Sequence, residues 1–413
     1  MSIPVSTGTT PENATKLGMW KFLLRELKPK GNFFTPFNLI SIPVILAGVI
    51  IIVIRFWKGL GAVTNLTQDV PWGLWIGFDV VTGVAFAGGA YVITFMVYIL
   101  NIKKYHPIVR VTVLNGFLAY LFYAGALLLD LGRPWNVINP IIGNSFGTSS
   151  VLFLVAWHFL LYMLTTLLEF SPAIAEWLGK RRIQKILSGM TIGAVIFGIT
   201  LSTLHQSGLG ALYLMAKDKI HPLWYTEFIP ILFFVSSIFA GLSMVIFEGS
   251  ITHRVFSHKF NTSDHHNHNN IILGLAKVCV GAIFTYLILK ILIFIHEQHW
   301  YLLTGPMGMW FLLEIVGFVI LPLVLYVTGY RNRNIITIRI ASIFTLIGIV
   351  LNRLNVTVIG FQWDAPIRYV PTWMEIVVTF AIIFIEIWIF RWIVTRLPVL
   401  KGSESPTIKQ EVS

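Results

Sequence analysis

Residues 73–99 read GLWIGFDVVTGVAFAGGAYVITFMVYI, a run in which Asp79 is the single charged residue. A helix crosses the hydrocarbon layer of a membrane with about 20 mostly apolar residues, because that layer is about 30 Å thick and each helical residue rises about 1.5 Å. The run is therefore long enough for one transmembrane helix. Its small residues, from Gly83 to Ala90, favour close packing against neighbouring helices, although they would also suit the close approach of a ligand.

Nine other apolar runs resemble this one, and together they predict an all-α integral membrane protein. The ten predicted spans cover residues 37–56, 73–99, 107–129, 150–169, 184–204, 224–247, 271–295, 308–328, 335–352 and 373–395. The chain is 12% charged, about half the charged fraction of a soluble domain. The alternating strands of a membrane β-barrel are not seen. We expect a cytoplasmic segment 1–36, a transmembrane domain 37–398 and a cytoplasmic tail 399–413.

The distribution of positive charge predicts the orientation. With the N-terminus inside, the inside segments hold 21 Lys and Arg residues and the outside segments hold 7. Cytoplasmic loops of membrane proteins carry this kind of excess, so we expect both termini on the cytoplasmic side. The net charge of +12 is then a consequence of membrane topology, and we predict no nucleic-acid partner.

The supply of metal ligands is poor. Cys279 is the single cysteine, which excludes a disulfide within the chain, a CxxCH haem attachment and an iron–sulfur ligand set. A transmembrane haem needs two histidines at matched depth, and we expect His158 to have no such partner. The run from His265 to His268 suits metal, but a solvated inner loop is the favoured interpretation. We therefore predict no haem, no cluster and no metal.

Ionisable residues inside a membrane are costly and are functional candidates for that reason. Six of them, from six different spans, are predicted in the outer third of the membrane: Asp79, Asp130, His205, Glu314, Arg353 and Glu375. We interpret them as one shared polar site rather than as six separate capping or snorkelling residues.

A second set lies deeper or on the inner side. His158, Glu248, Glu386 and Lys290 are candidates for a proton path across the membrane, and a structural role for each remains an equal alternative. Glu169 and Glu248 are predicted to end their spans, where each would act as a cap or an interfacial ion pair.

Several short motifs resemble one family in matching order. They are Trp72-Gly73 with Asp79, Tyr105-His106-Pro107, Asp130-Leu131-Gly132-Arg133, Thr203-Leu204-His205-Gln206-Ser207, His221-Pro222-Leu223-Trp224, Ile246-Phe247-Glu248-Gly249-Ser250 and Pro371-Thr372-Trp373-Met374-Glu375. This pattern is similar to the NrfD/PsrC-like family, and within it to the HybB-type membrane subunit of hydrogenase-2-type [NiFe]-hydrogenases. The resemblance runs from about residue 37 to residue 398.

The resemblance implies a fold, a ligand and partners. Such subunits look like two four-helix bundles with extra helices, in the bacterial cytoplasmic (inner) membrane. They bind a quinone near the outer face, where a ferredoxin-like iron–sulfur subunit docks and exchanges electrons. The implied catalytic partner is a [NiFe]-hydrogenase, with a multihaem cytochrome or a molybdopterin enzyme as alternatives. Leu154 stands where some relatives carry an acidic residue, so no proton path is placed through the fourth span.

The residues lead independently to the same kind of ligand. A chain without ligands for an electron-carrying metal can take part in redox chemistry only through a bound organic carrier, which the resemblance implies is a quinone, either menaquinone or ubiquinone. We expect Asp79 and His205 to contact the ring or deliver protons, with Arg353 and Arg133 as counter-charges, Arg353 being coupled to Asp79. Glu314 and Asp130 are second candidates.

Two other functions remain open from sequence. A secondary transporter or proton channel would also carry buried carboxylates and basic loops. Transporters often interrupt their helices near the middle of the membrane, whereas Pro and Gly here concentrate near the ends of most spans. This favours a subunit of a redox complex over a transporter. An assembly or anchor protein without its own site is disfavoured by the outer cluster of ionisable residues.

Overall fold

The computed structural model describes residues 16–28, 30, 34–142, 150–257, 262–366 and 368–400. Its long helices are α1 (Lys16–Leu27), α2 (Pro36–Lys58), α3 (Trp75–Ile99), α4 (Lys103–Asp130), α5 (Val151–Trp177), α6 (Arg181–Lys219), α7 (Ile229–Val255), α8 (Thr262–Glu297), α9 (Pro306–Arg331), α10 (Ile335–Ile359) and α11 (Trp373–Arg396). Short helices are Leu60–Ala62, Pro134–Ile138, Asn139–Ile142 and His299–Thr304. Within the described ranges, the ten helices α2–α11 are long and apolar enough to cross a membrane, which confirms the predicted fold class.

Several helices extend beyond the predicted spans. Helix α5 continues to Trp177 and α7 to Val255, so Glu169 and Glu248 lie inside their helices and the prediction that they act as caps is wrong. That they end the membrane part of their helices stays a prediction. Helix α8 begins at Thr262, so the His265–His268 run is helical rather than a loop. An apolar run locates the hydrocarbon layer, and a helix can continue past that layer into water.

The helices form two four-helix bundles and a peripheral pair. In the first bundle, α3, α4, α5 and α6 pack in sequence and α6 returns to α3, while α7, α8, α9 and α10 form the second bundle in the same way. The bundles meet where α7 packs on α3 and α6 and where α10 packs on α3. Helices α2 and α11 pair with each other and lie against α4. This arrangement confirms the predicted two bundles with extra helices.

The glycines of α3 form the seam between the bundles. A side chain at Gly241 of α7 would overlap the backbone of Gly88 and Gly89, and one at Gly89 would overlap the backbone of Gly241. Backbones can approach this closely only where neither helix carries a side chain. The predicted packing role of the Gly83–Ala90 stretch is therefore confirmed.

The two sides of the protein differ, and we name them by their landmarks. The α1 side carries α1, which docks at the ends of α5 and α11. The opposite side is called the carboxylate side, because α3 begins there and Asp79 lies one turn below. On the carboxylate side the 220–228 and 360–366 loops join through a hydrogen bond from the His221 amide to the Gly360 carbonyl at 2.8 Å.

Wider, π-helical turns occur in α3 (Trp75–Thr82) and α10 (Asn355–Ile359) near the carboxylate side. The two turns touch where Gly77 lies against the Thr357 side chain. A π-helical turn rotates the residues that follow it and is often found at functional sites. Here one turn carries Asp79 and the other carries Asn355.

Candidate functional site

Asp79 is completely buried in α3. Its Oδ2 accepts a hydrogen bond of 3.0 Å from the Thr379 hydroxyl of α11, while Oδ1 is buried and has no hydrogen-bond partner among the described residues. A carboxylate oxygen that is buried without a partner is costly. The position therefore favours a protonated carboxyl group or contact with a polar ligand.

Asp130 ends α4 near Asp79 and, like Asp79, has a carboxyl oxygen that lacks a hydrogen-bond partner among the described residues. This buried oxygen is Oδ1, and the charge of Asp130 interacts with those of Asp79 and Glu375. The nearby cation is Arg55 of α2, which is 3% exposed. Arg55 donates from Nε to the Leu129 carbonyl at 2.7 Å and also to the Leu131 carbonyl. It is thereby fixed at the end of α4.

Glu375 of α11 is buried but, unlike the two aspartates, is well supplied with donors. It forms a capping box with Thr372 and accepts from the Thr372 amide at 3.0 Å and the Asn65 amide at 3.3 Å. The Tyr369 hydroxyl also donates to it. Burial and Glu375 raise the pKa of Tyr369, so this hydroxyl keeps its proton and remains a donor.

We call Asp79, Asp130, Glu375 and Arg55 the acidic cluster. Asp130 interacts with the charges of both Asp79 and Glu375, and Arg55 is the cation that faces Asp130. Like charges so close disfavour full ionisation, so the cluster is chemically suited to hold and release protons.

A second group of buried charges lies in the second bundle, around Glu314 of α9. Glu314 accepts hydrogen bonds from Asn352 at 2.7 Å, from Asn355 at 2.6 Å and from the Trp224 indole at 2.6 Å. Both carboxylate oxygens are therefore satisfied. This is the pattern of an ionised carboxylate held in place by neutral donors.

Two cations accompany Glu314. Arg353 donates to Asn352 at 2.8 Å and to the Ser236 hydroxyl at 2.7 Å, and its guanidinium carbon lies 3.6 Å from the centre of the Phe233 ring. Lys290, 9% exposed, lies in the same region, where the charges of Glu314, Arg353 and Lys290 interact. We call Glu314, Arg353 and Lys290 the cationic cluster.

These contacts correct two expectations. Arg353 is not coupled to Asp79, because its guanidinium group is bonded to Asn352 and Ser236 in the second bundle. Arg133 is exposed on the carboxylate side, and the cation beside the aspartates is Arg55 instead. The expected single outer site is thus separated into an acidic cluster, a cationic cluster and the surroundings of His205.

His205 lies in the core of the first bundle. Its Nδ1–H donates to the Val155 carbonyl at 3.2 Å, and its Nε2 is buried without a partner in the described chain. The Tyr120 and Phe159 rings pack on it, with ring centres 5.6 and 5.3 Å away. The buried hydroxyls of Tyr120, Tyr162 and Ser202 lie nearby, and Ser202 interacts with both tyrosines.

His158 has a second histidine, His205, at a similar depth, whereas the sequence predicts that it has none. It lies one turn along α5 from Val155, the hydrogen-bond partner of His205, so the two histidines are neighbours on packed helices. A haem would need a porphyrin-sized gap between them, whereas the Tyr120 and Phe159 rings pack directly on His205. The absence of haem stays a prediction.

Two adjoining cavities run from the α1 side towards the acidic cluster. The larger, of about 480 Å³, is lined by the ends of α4, α7 and α8 on the α1 side. The smaller, of about 330 Å³, lies among α3, α4, α7 and α11 and extends to Phe78, next to Asp79. They share the lining residues Thr112, Asn115, Val245, Glu248 and Thr252.

Glu248 and Glu386 face these cavities. Glu248 accepts a hydrogen bond from Asn115, and Glu386 lines the smaller cavity across from it. The buried Tyr123 lines the same cavity and interacts electrostatically with Glu386, Asp79 and Glu248. Tyr123 is thus within electrostatic range of both the cavity carboxylates and Asp79 of the acidic cluster.

The four residues predicted for a proton path are not all in one place. Glu248 and Glu386 lie together at the cavities, whereas His158 is in the first bundle and Lys290 is in the cationic cluster.

The histidines at the start of α8 contact a histidine of α7. The Nδ1 atom of His265 lies 2.5 Å from Nε2 of His253, and the His253 ring stacks on that of His268.

Sequence reasoning missed the neutral partners and one cation. Arg55 lies at the end of the first predicted span, 37–56. A basic residue at the end of an apolar run is the signal that could have identified it. Tyr123, Asn115 and Thr379 gave no signal, because a neutral polar residue in an apolar run is common in packed membrane helices.

Comparison with known proteins identifies the family. The family model described as "Polysulphide reductase, NrfD" matches residues 62–363. A protein of Nitratidesulfovibrio vulgaris is 42% identical over 89% of this chain and 95% of its own length. The "Probable Ni/Fe-hydrogenase 2 b-type cytochrome subunit" of Escherichia coli is 30% identical over 89% of this chain and 92% of its own length.

A more distant relative carries a quinone in its name. The "Menaquinone reductase, integral membrane subunit" of Nitratidesulfovibrio vulgaris is 26% identical over 77% of this chain and 80% of its own length. The predicted resemblance is confirmed: this multi-pass membrane protein belongs to the NrfD family.

Proposed function

We propose that this chain is the quinone-interacting membrane subunit of a bacterial respiratory redox complex. In this proposal it lies in the cytoplasmic (inner) membrane with both termini in the cytoplasm, so that the carboxylate side faces the periplasm. The distribution of 21 against 7 basic residues supports that orientation. The names of two relatives, a hydrogenase subunit and a menaquinone reductase subunit, support the kind of complex.

The observation that carries the proposal is the pair of unsatisfied carboxyl oxygens in the acidic cluster. Asp79 Oδ1 and Asp130 Oδ1 are buried and without hydrogen-bond partners in the described chain. A protonated carboxyl group can donate a hydrogen bond to a carbonyl oxygen, and a quinone ring carries two such oxygens. The residues present therefore fit a quinone head group, with His205 as a second candidate contact.

The chemistry defines what the chain itself must do. A quinone takes up two electrons and two protons when it is reduced, and this chain supplies the protons. Asp79 and Asp130 hold protons at the carboxylate side, since each has a buried oxygen without a partner in the described chain and their like charges would repel. Glu375, held by its capping box and by Tyr369, is a third carboxyl group beside Asp130.

A route for these protons is part of the proposal. The two cavities open the α1 side to Glu248 and Glu386, and Tyr123 lies between these carboxylates and Asp79. A hydroxyl group can accept a proton on one side and donate one on the other, so Tyr123 would complete the path. Protons for the quinone would then come from the cytoplasm. His158 and Lys290 lie off this route.

The electrons must come from a partner, because no electron-carrying metal is proposed for this chain. We propose a ferredoxin-like iron–sulfur subunit docked on the carboxylate side, with [NiFe]-hydrogenase subunits beyond it. A multihaem cytochrome or a molybdopterin enzyme would serve the same chemistry. Menaquinone is favoured over ubiquinone by the name of one relative.

The experiment compares Asp79→Asn with the unaltered protein in the purified complex. A positioned acid or base is typically worth about 10²–10⁴-fold in rate, so quinone reduction should fall by at least a hundredfold. Reaction of the partner with a soluble dye should be unchanged. The exposed Asp364→Asn on the same side is the matched control and should behave like the unaltered complex.

A decrease below about threefold would contradict the role of Asp79, given the usual size of acid–base effects. His205→Phe separates the two candidate contacts, since it should also slow quinone reduction if the imidazole touches the ring. If both variants reduce quinone normally but lose the partner subunit, the carboxylate side is a docking surface only.

A further inference from the structure

Helix α1 has a side that is docked on the rest of the protein. The Phe22 ring packs on Trp177 at the end of α5, with ring centres 5.3 Å apart. Glu26, 8% exposed, lies beside Arg396 of α11, whose Nε donates to the Glu26 carbonyl at 2.6 Å. These contacts hold α1 against the bundle at the level where α5 and α11 end.

A second side of α1 is apolar and exposed. Trp20, Leu24 and Leu27 are 67%, 59% and 64% exposed. Their spacing of four and three residues places them in one stripe, because an α-helix turns once in 3.6 residues. Large side chains in such a stripe are not left in water without a reason.

A third side is basic. Lys21, Arg25 and Lys28, the last directly after the end of α1, are exposed and each follows a residue of the apolar stripe, so the basic stripe lies about 100° from the apolar one, as follows from 3.6 residues per turn. The acid among them, Glu26, is already bonded to Lys30 at 2.5 Å and faces Arg396, so the 3.8 Å approach of Arg25 adds little neutralisation. The basic stripe therefore keeps a net positive charge.

The height of α1 in the membrane follows from its neighbours. Trp177 packs on Trp392 with ring centres 6.3 Å apart, and tryptophans gather at the boundary between hydrocarbon and water. Helix α2 enters the membrane region at Pro36, shortly after α1 ends. Helix α1 thus lies at the boundary, where an apolar stripe can reach acyl chains and a basic stripe can reach head groups.

We propose that α1 is a binding site for anionic phospholipids of the surrounding bilayer. Trp20, Leu24 and Leu27 lie in the acyl boundary, and Lys21, Arg25 and Lys28 bind the lipid phosphates. A helix with separate apolar and basic faces is the usual form of such a membrane-surface element.

The first test measures lipid binding to the full chain by native mass spectrometry. Phosphatidylglycerol and phosphatidylcholine are titrated into the detergent-purified protein and into the triple variant Lys21→Gln, Arg25→Gln, Lys28→Gln. Each basic residue near an anionic surface is worth roughly fivefold in affinity, so the triple variant should bind phosphatidylglycerol on the order of a hundredfold more weakly. Phosphatidylcholine binding should be unchanged.

The matched control neutralises three exposed basic residues of the carboxylate side, Lys58, Lys217 and Lys219. It has the same change in net charge and should retain phosphatidylglycerol like the unaltered protein. Equal losses in both triple variants would overturn the proposal, because the effect would then come from net charge alone.

The second test places the apolar stripe. Vesicles with lipids brominated near the head group quench tryptophans in the boundary, and the difference between the unaltered protein and Trp20→Phe isolates Trp20. Strong quenching of Trp20 is expected. Absence of quenching, or protection of α1 by a co-purified protein subunit instead of lipid, would overturn the assignment to lipid.

Discussion

The acidic cluster and the cationic cluster lie on the same side of the protein and meet through the contact of Gly77 with Thr357, yet their buried charges are satisfied in opposite ways. Glu314 accepts three hydrogen bonds and faces Arg353 and Lys290. Asp79 accepts one hydrogen bond and interacts with the charge of Asp130, which in turn faces Glu375 and Arg55.

The difference separates structural charges from charges that can react. Glu314 accepts hydrogen bonds at both oxygens, and those from Asn352 and Asn355 tie α9 to α10; a buried charge is tolerated only when it is compensated in this way. Leaving oxygens of Asp79 and Asp130 without partners costs stability, and such a cost is typical of functional sites. The two clusters therefore have different roles, one structural and one reactive, whereas the sequence predicts a single shared site.

The largest expected effect comes from removing Glu314, the carboxylate whose two oxygens are both hydrogen-bonded. Glu314→Ala removes the acceptor of three donors and leaves Arg353 and Lys290 without a counter-charge, which should cost about 3–5 kcal/mol. Asp79→Ala removes one hydrogen bond and an unsatisfied oxygen, so its cost should be about 1 kcal/mol or less. Thermal unfolding of the two variants in the same detergent makes the comparison.

The double variant Glu314→Ala with Lys290→Met serves as the control for charge. It should recover part of the loss, since one of the two uncompensated cations is removed. Equal destabilisation by Glu314→Ala and Asp79→Ala would contradict the division between the clusters.

A smaller effect is expected at the link between the acidic cluster and the cavities. Tyr123→Phe removes the hydroxyl between Asp79 and Glu386 while keeping the ring that packs on Gly83. Loss of one hydrogen-bonding group should slow quinone reduction by about tenfold, with no change in the dye reaction. The control is Tyr330→Phe, near the C-terminal end of α9, where the side chain is 40% exposed; its rate should be unchanged. An unchanged rate in Tyr123→Phe would remove this residue from the proton route.

The smallest effect concerns pH and the loops that cover the carboxylate side. Burial, and then His299, lower the pKa of His221, and His221 Nδ1 accepts a hydrogen bond of 3.2 Å from the Leu223 amide. Since the folded state favours the neutral ring, its stabilisation is present above the ordinary pKa of about 6.5 and is lost as the pH falls below that value. The loss should be about 1 kcal/mol.

Hydrogen exchange of residues 220–226 and 360–366 between pH 8 and pH 5 would measure this loss, after correction for the intrinsic rates. His221→Asn can still accept the amide hydrogen bond but cannot take up a proton, so its loops should show little pH dependence. If both proteins loosen equally on acidification, another group controls these loops.

The sequence was informative where a physical cost is local. The thickness of the hydrocarbon layer sets the length of each apolar run, so the sequence predicts all ten spans. An aspartate within such a run can be identified without knowing which residues surround it. Which charges meet depends on helix packing and rotation. Arg353 and Asp79 share a depth but face different bundles, and Arg55 reaches Asp130 only because α2 packs near the end of α4.

The seam of Gly88, Gly89 and Gly241 has an electrical consequence. An energised membrane holds a voltage that any continuous thread of water would short-circuit, and the smaller cavity already brings water-accessible space deep into the protein, with Gly89 in its wall. Backbone packed on backbone leaves no room for such a thread between the bundles. The seam is thus an insulating layer at this depth, and a proton could pass it only on titrating side chains.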